Sequence, residues 1–314
     1  NKILIGGNRM KMKKCGLGTT AIHGGAVKNP YGSLAVPVFQ TSTFIFDSAE
    51  QGGKRFALEE DGYIYSRLGN PTTSILEARV AALEEGEAAV AMSSGMGAIS
   101  STLWTVLKVG DHVITDTTLY GCTFALMNHG LTKFGVEVSF VDTSDLEAVK
   151  KAMKANTRVV YLETPANPNL KIVDLEAIAT LAHTNPNTLV IVDNNFATPF
   201  LQKPLTLGVD IVVHSATKYI NGHGDVVAGL AVTNQELANQ IRLVGVKDMT
   251  GSVLGPQEAY YILRGLKTFE IRMERHCKNA EKVVEYLCRH EQVEKVYYPG
   301  LADHPGYEVA KKQM

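Results

Sequence analysis

The sequence predicts an α/β fold: a mostly parallel central sheet with helices on both faces, followed by the beginning of an incomplete C-terminal α+β domain. Two observations predict it. From residue 72 to about residue 235, short β-branched runs alternate with stretches of helical periodicity, the pattern of strands joined by crossover helices. Beyond Gly255-Pro256 the texture changes to long helices with few strand signals, while strands spaced by crossover helices imply a mostly parallel sheet covered on both faces.

Taken in order, Ser74–Glu85 reads as a helix with Ile75, Leu76, Val80 and Leu83 on one face. Ala88–Met92 is a strand, Ser93-Ser94-Gly95 a small-residue turn, and Gly97–Leu107 a helix opening in that turn. Further strands are expected at His112–Thr115, Glu137–Val141, Val159–Glu163, Leu189–Asp193 and Ile211–His214, with helices at Leu146–Lys154 and Leu175–His183. After Gly255-Pro256 the texture changes to two long helices, Gln257–Leu263 and Phe269–His290, with few strand signals before Val296. Tyr297-Tyr298-Pro299-Gly300 could then open a second sheet. This organises the chain as an N-terminal arm (1–68), a large domain (69–256) and the start of a small domain (257–314). A domain as short as the last would be marginal alone, so the chain is expected to continue past Met314.

Composition narrows the function. The 314 residues are 45% hydrophobic and 20% charged with a net charge of −1, an ordinary globular balance. It points to neither nucleic acid nor an anionic membrane as partner. No apolar run approaches the roughly 18 residues of a membrane span. Cys15, Cys122, Cys277 and Cys288 form no metal-ligand spacing, and so few thiols suit a reducing cytoplasm. Cys277 and Cys288 read as packing residues. Lys2, Arg9, Lys11, Lys13, Lys14 and Lys28 all precede the first acid, Asp47, but the apolar stretch Ile3–Ile5 is too short for a secretory signal. The first dozen residues read as a cloning remnant or flexible arm, and Met10 and Met12 leave the native start open.

Three segments carry chemistry. Lys218, in His214-Ser215-Ala216-Thr217-Lys218-Tyr219, follows a strand, at the carboxyl edge where open α/β sheets place ligands. An amine there can form an imine with an aldehyde cofactor, and the Ser215 and Thr217 hydroxyls could bind a phosphate; alone, the motif is weak and reads more readily as a solvated lysine. Asp193 ends the run Leu189–Asp193. It is either a turn residue or a carboxylate paired with a pyridinium nitrogen, which keeps such a ring an electron sink. Ser93–Ile99 is either a plain strand-to-helix turn or a phosphate site at a helix N-terminus. One ligand satisfies all three functional readings: a phosphorylated pyridine aldehyde.

Tyr65-Ser66-Arg67-Leu68-Gly69-Asn70-Pro71-Thr72, Ser94-Gly95-Met96, Leu119-Tyr120-Gly121, Glu163-Thr164-Pro165-Ala166-Asn167-Pro168 and Ser215-Ala216-Thr217-Lys218 occur in that order. Together, from about Thr19 to Met314, they resemble the Cys/Met-metabolism enzymes dependent on pyridoxal 5'-phosphate (PLP). The resemblance implies the type I PLP-transferase (aspartate aminotransferase-like) fold and a carbon–sulfur lyase or a related transferase. It implies that Lys218 carries PLP, Asp193 meets the ring nitrogen, Asn167 the ring hydroxyl, and Gly95 and Met96 the phosphate. Tyr120 would stack on the ring and act as acid and base. Tyr65 and Arg67 would reach the neighbouring subunit's phosphate, so the enzyme would be at least a dimer; the family usually forms tetramers. Cys122 and Lys247-Asp248 resemble the branch that eliminates methanethiol from L-methionine, leaving 2-oxobutanoate and ammonia. In that branch Lys247 and Asp248 would enter the neighbouring site and order Tyr120 and Cys122, while Arg67 and Lys247 would favour ionised Tyr120. Apart from the resemblance, Cys122 reads as a packing thiol and Lys247-Asp248 as a solvated loop pair. Sibling activities on cystathionine or a homoserine ester, and a non-catalytic binding protein, are the alternatives. The family's carboxylate-binding arginine matches no position of this sequence. No metal is expected.

Overall fold

The computed structural model describes residues 15–25, 29 and 31–314; the basic N-terminal residues up to Lys14, and Lys28, lie outside them. In chain order the elements are α1 (Leu17–His23), α2 (Ala49–Phe56), α3 (Pro71–Leu83), β1 (Ala88–Met92), α4 (Gly95–Val106), β2 (His112–Asp116), α5 (Gly121–Ala125), β3 (Glu137–Val141), α6 (Leu146–Ala152), β4 (Thr157–Glu163), α7 (Leu175–Ala182), β5 (Leu189–Asp193), α8 (Thr198–Leu201), β6 (Ile211–Ser215), β7 (Gly229–Thr233), α9 (Gln235–Gln240), α10 (Pro256–Leu266), α11 (Phe269–Leu287) and α12 (Tyr307–Gln313).

The expected strands all form, and the sheet order is β1-β7-β6-β5-β4-β2-β3. β2 pairs parallel with β3 and β4, β4 with β5, and β5 with β6, while β1 and β7 are antiparallel. β7 was not anticipated: Gly-Leu-Ala-Val-Thr is short and opens on a glycine, a weak strand signal. Gly229 is nevertheless required there, because a Cβ would lie 2.0 Å from the Ser94 carbonyl oxygen. β2 and β7 are buried at every residue, and β5 at all but its first. The edge strand β3 has no fully buried residue. This is the burial of central parallel strands covered on both faces.

The chain divides into two compact units, Asn1–Thr105 with His214–Lys267, and Val106–Val213 with Thr268–Met314. In the first unit α3 packs on β1 and β7. Its start is fixed by Asn70, whose side chain accepts from Thr72 N–H at 2.9 Å, with Pro71 in the first turn. Within α3, the buried Glu77 takes the Arg242 guanidinium on both oxygens (3.1 and 2.8 Å) and also accepts from Ala91 N–H at 2.9 Å. It thus ties the helix to β1 and to the π-helical segment Ile241–Thr250.

In the second unit α6 lies on β3 and α7 on β5, each capped by an aspartate, Asp145 and Asp174. The end of β2 is held by buried Asp116, which accepts from Lys171 Nζ (2.6 Å), Thr118 N–H (2.6 Å) and Thr143. Between α11 and α12 the chain makes no strand at 296–300. The two late cysteines are not packing residues as expected: Cys288 is exposed at the end of α11 and Cys277 only half-buried. That helix buries only Phe269 and Met273 completely. All four cysteines are free.

Replacing Glu77 with Ala leaves the Arg242 charge with no counter-charge and only the Ala89 carbonyl at 3.3 Å, and leaves a strand N–H without its acceptor. Chemical denaturation is expected to show a loss of roughly 3–5 kcal/mol; an unchanged midpoint would contradict this account of the ion pair.

Candidate active site

Two groups of expected site residues emerge, one in each unit. In the first, Lys218 follows β6 by three residues in a turn closed by Lys218 N–H to the Ser215 carbonyl (3.2 Å) and Gly222 N–H to the Lys218 carbonyl (2.7 Å). The Lys218 side chain is exposed. Asn221 N–H bonds to the Ala216 carbonyl at 3.0 Å, continuing the turn. Thr217 faces Ala228: its Oγ1 accepts from Ala228 N–H at 3.0 Å and donates to the Ala228 carbonyl at 3.3 Å. The second contact is long, so the hydroxyl can turn to an anion only by giving up a weak bond.

The start of α4 passes directly against Ser215. A Cβ on Gly95 would stand 2.7 Å from the Ser215 Cβ, and one on Gly97 2.0 Å from the Ser252 hydroxyl. Ser94 caps the helix, accepting from Gly97 N–H at 2.9 Å. The glycines thus let the first turn of a 12-residue helix, with the backbone of Gly95 and Met96, approach Ser215, the arrangement that favours a bound phosphate.

The same unit holds the residues expected to act on a neighbour. Tyr65 and Arg67 are exposed, and the Arg67 guanidinium lies 5.5 Å from the Tyr65 ring centre. Arg67 donates to the Lys247 carbonyl at 2.7 Å, and Lys247 pairs with Asp248 at 3.2 Å. The two segments that the resemblance sends to another subunit are therefore joined to each other in this one.

The second unit gathers the ring-binding candidates. Asp193 ends β5, buried, accepting from Asn195 N–H at 3.1 Å. Burial, and then the neighbouring Glu163 carboxylate, push its pKa well above the usual carboxylate range. Glu163 is its register partner on β4 and is itself raised, chiefly by burial. Glu163 accepts from Tyr120 N–H at 2.8 Å and from Asn167 N–H at 2.9 Å. The loop after β5 is braced by Gln202, whose amide donates to the Asn194 side chain and to the Thr164 carbonyl, each at 3.0 Å. Tyr120 is exposed, and the Cys122 thiol donates to its hydroxyl at 3.5 Å. Hydrogen bonding in the opposite sense, from the phenol to a deprotonated Cys122, and then the charge of that thiolate raise the Tyr120 pKa. Within one chain the shift is thus opposite to the lowering expected from Arg67 and Lys247, which the resemblance assigns to a second subunit. Glu163 was not among the expected site residues; its position at the end of an apolar strand, the signal used for Asp193, could have found it. Among the described residues, no cluster of potential ligands could hold a metal ion, and no helix is long and apolar enough to cross a membrane.

A sequence model of the Cys/Met metabolism PLP-dependent enzymes matches residues 18–314. The chain is 81% identical over 305 residues to the L-methionine gamma-lyase of Fusobacterium nucleatum subsp. nucleatum, covering 97% of this chain and 77% of that one. It is 60% identical over 308 residues to the L-methionine gamma-lyase of Treponema denticola, covering 98% and 77%. A solved structure of cystathionine gamma-lyase from Lactobacillus plantarum with L-serine superimposes with a TM-score of 0.89 at 43% identity, over 96% of this chain and 76% of that one. The chain belongs to the Cys/Met metabolism PLP-dependent enzyme family, has the type I PLP-transferase fold, and is an enzyme whose cofactor is pyridoxal 5'-phosphate.

The residues present fit that group. Asp193 is a buried carboxyl whose charge is disfavoured by burial and by Glu163, the environment that a protonated ring nitrogen relieves. The Gly95–Ser215 approach is a cradle that a single Cβ would fill.

The raised Asp193 pKa has a consequence for the apoprotein. A carboxyl that holds its proton more tightly folded than unfolded opposes folding as pH climbs above its unfolded pKa of about 3.9. Relative to wild-type apoprotein, Asp193→Asn is expected to gain stability progressively as pH rises from that point, read by denaturation at several pH values. A stability difference independent of pH would show that burial does not act on this carboxyl.

Proposed function

We propose that this enzyme catalyses α,γ-elimination of L-methionine to methanethiol, 2-oxobutanoate and ammonia. The observation that carries this reading is the contact of the Cys122 thiol with the Tyr120 hydroxyl at 3.5 Å, in a chain 81% and 60% identical to two L-methionine gamma-lyases. A cysteine there is the feature that the family resemblance associates with the methionine branch.

When bound, the cofactor would supply an electron sink for the pair left at the substrate α-carbon as its C–H bond breaks. Lys218 Nζ holds the cofactor and is the base for the α-proton. Asp193 keeps the ring nitrogen protonated, and Asn167 orients the ring through its hydroxyl. The backbone of Gly95 and Met96 and the Ser215 hydroxyl bind the phosphate, with Thr217 joining them once its hydroxyl turns from Ala228. Tyr120 lies against the ring, and its Oη delivers a proton to the leaving γ-sulfur. When Cys122 is deprotonated, accepting from the phenol, its contact and charge favour the protonated phenol, the form a proton donor needs at that step.

The enzyme works as a dimer or a pair of dimers, in which Tyr65 and Arg67 reach the neighbour's phosphate and Lys247 and Asp248 its tyrosine. The exposure of Tyr65 and Arg67 supports this, as does the planar Arg fork, which suits phosphate. A sulfur amino acid is the substrate, and four free cysteines accord with the cytoplasm as its compartment. Activity on cystathionine is the second reading, favoured by the likeness to a cystathionine gamma-lyase.

The deciding experiment supplies purified holoenzyme with L-methionine or cystathionine and measures methanethiol, cysteine and 2-oxobutanoate. Methanethiol with 2-oxobutanoate supports the proposal; cysteine from cystathionine without methanethiol selects the sibling activity. Lys218→Ala is expected to abolish both turnover and the cofactor's visible absorbance, and retained turnover would remove Lys218 from its role.

A further inference from the structure

Glu163 ends β4 at 5% exposure, and its two oxygens are assigned to different loops: Oε2 to Tyr120 N–H at 2.8 Å, Oε1 to Asn167 N–H at 2.9 Å. The first loop follows β2; the second follows β4 itself. Both loops present a residue to the cofactor ring in the reading above. A carboxylate is acceptor-only at both oxygens, whereas a glutamine would turn an NH2 donor toward one of the two N–H groups. The requirement here is thus for an acid of this length and not merely for a polar side chain.

Its location adds a second effect. Glu163 and Asp193 are register partners on adjacent parallel strands, so both side chains project from the same face of the sheet at its carboxyl edge. Burying two acids as neighbours is unfavourable in isolation. A positive charge on the ligand makes the pair favourable, and the nearer the second negative charge, the more firmly that positive charge is held.

We propose that Glu163 is a positioning residue for the reaction: it fixes Tyr120 and Asn167 at the cofactor ring and places a second negative charge beside Asp193. The inference rests on the functional reading above and extends it to a residue that touches neither substrate nor cofactor in that reading.

Two substitutions separate reach from charge. Glu163→Asp keeps the charge but is one methylene short of holding both N–H groups; Glu163→Gln keeps the length and loses the charge. Each holoenzyme is assayed for kcat and KM with L-methionine, for the pH midpoint of the cofactor's visible band, and for thermal unfolding. Glu163→Asp is expected to lower kcat roughly tenfold or more through misplaced Tyr120 and Asn167, with KM and the pH midpoint near wild type. Glu163→Gln is expected to lower kcat and also move the midpoint to lower pH, because losing a nearby negative charge disfavours the cofactor's positively charged form. A lower unfolding temperature with wild-type kcat and midpoint would mean that Glu163 only supports the fold, and would overturn the proposal. Should Glu163→Gln not fold, Glu163→Asp decides alone: an unchanged kcat overturns it. A wild-type enzyme with a normal visible band but no methanethiol would instead defeat the functional reading.

Discussion

The constraint on which the proposed ring-binding half of this enzyme depends is a pair of buried acids at the ends of two adjacent parallel strands. The register between β4 and β5 sets Glu163 opposite Asp193, and each is stripped of water by the sheet around it. Charged groups in that position normally need a partner. Glu163 finds partial relief in two backbone N–H groups, and Asp193 in one. The remaining deficit is what a cationic ring nitrogen would satisfy in the function proposed above. Ligand binding and the burial of these acids are therefore two sides of one electrostatic arrangement.

The phosphate-binding half rests on a steric constraint instead. Helix α4 can begin against Ser215 only because Gly95 has no side chain, it passes close to Ser252 at Gly97, and β7 can pass Ser94 only because Gly229 has no side chain. Close backbone approach brings the first turn of the helix to the strand end from which the Lys218 turn departs. The Glu77–Arg242 fork holds α3, β1 and the Ile241–Thr250 segment together behind it. In the same unit the Arg67–Lys247 contact binds the two segments proposed to serve a neighbouring subunit, so any movement of one is transmitted to the other.

Much of this was legible in the sequence for identifiable reasons. Strands such as Leu-Val-Ile-Val-Asp and helices such as that over Ile75, Leu76, Val80 and Leu83 announce themselves because burial on both faces and on one face leave different periodicities. The helix read from Ser74 in fact begins at Pro71, because its cap at Asn70 and its proline lie outside the apolar periodicity that announced it. β7 was missed because a five-residue strand opening on glycine carries little local preference and forms by pairing with β1, more than 130 residues away in sequence. The exposure of Cys288 was missed because thiols are usually buried, and α11 turns little of its length inward.

By itself the sequence determined which chemical groups this protein has and the order in which they occur: an amine after β6, an acid ending β5, a glycine turn after β1, and the motifs that place the chain in its family. Local propensity and covalent order suffice for that. Only the tertiary structure decided that Glu163 receives the backbones of Tyr120 and Asn167, that Thr217 turns to Ala228, and that Arg67 meets Lys247 across 180 residues of chain. Hydrogen bonds between distant segments depend on strand register and loop direction, and the pattern of residues along the chain records neither.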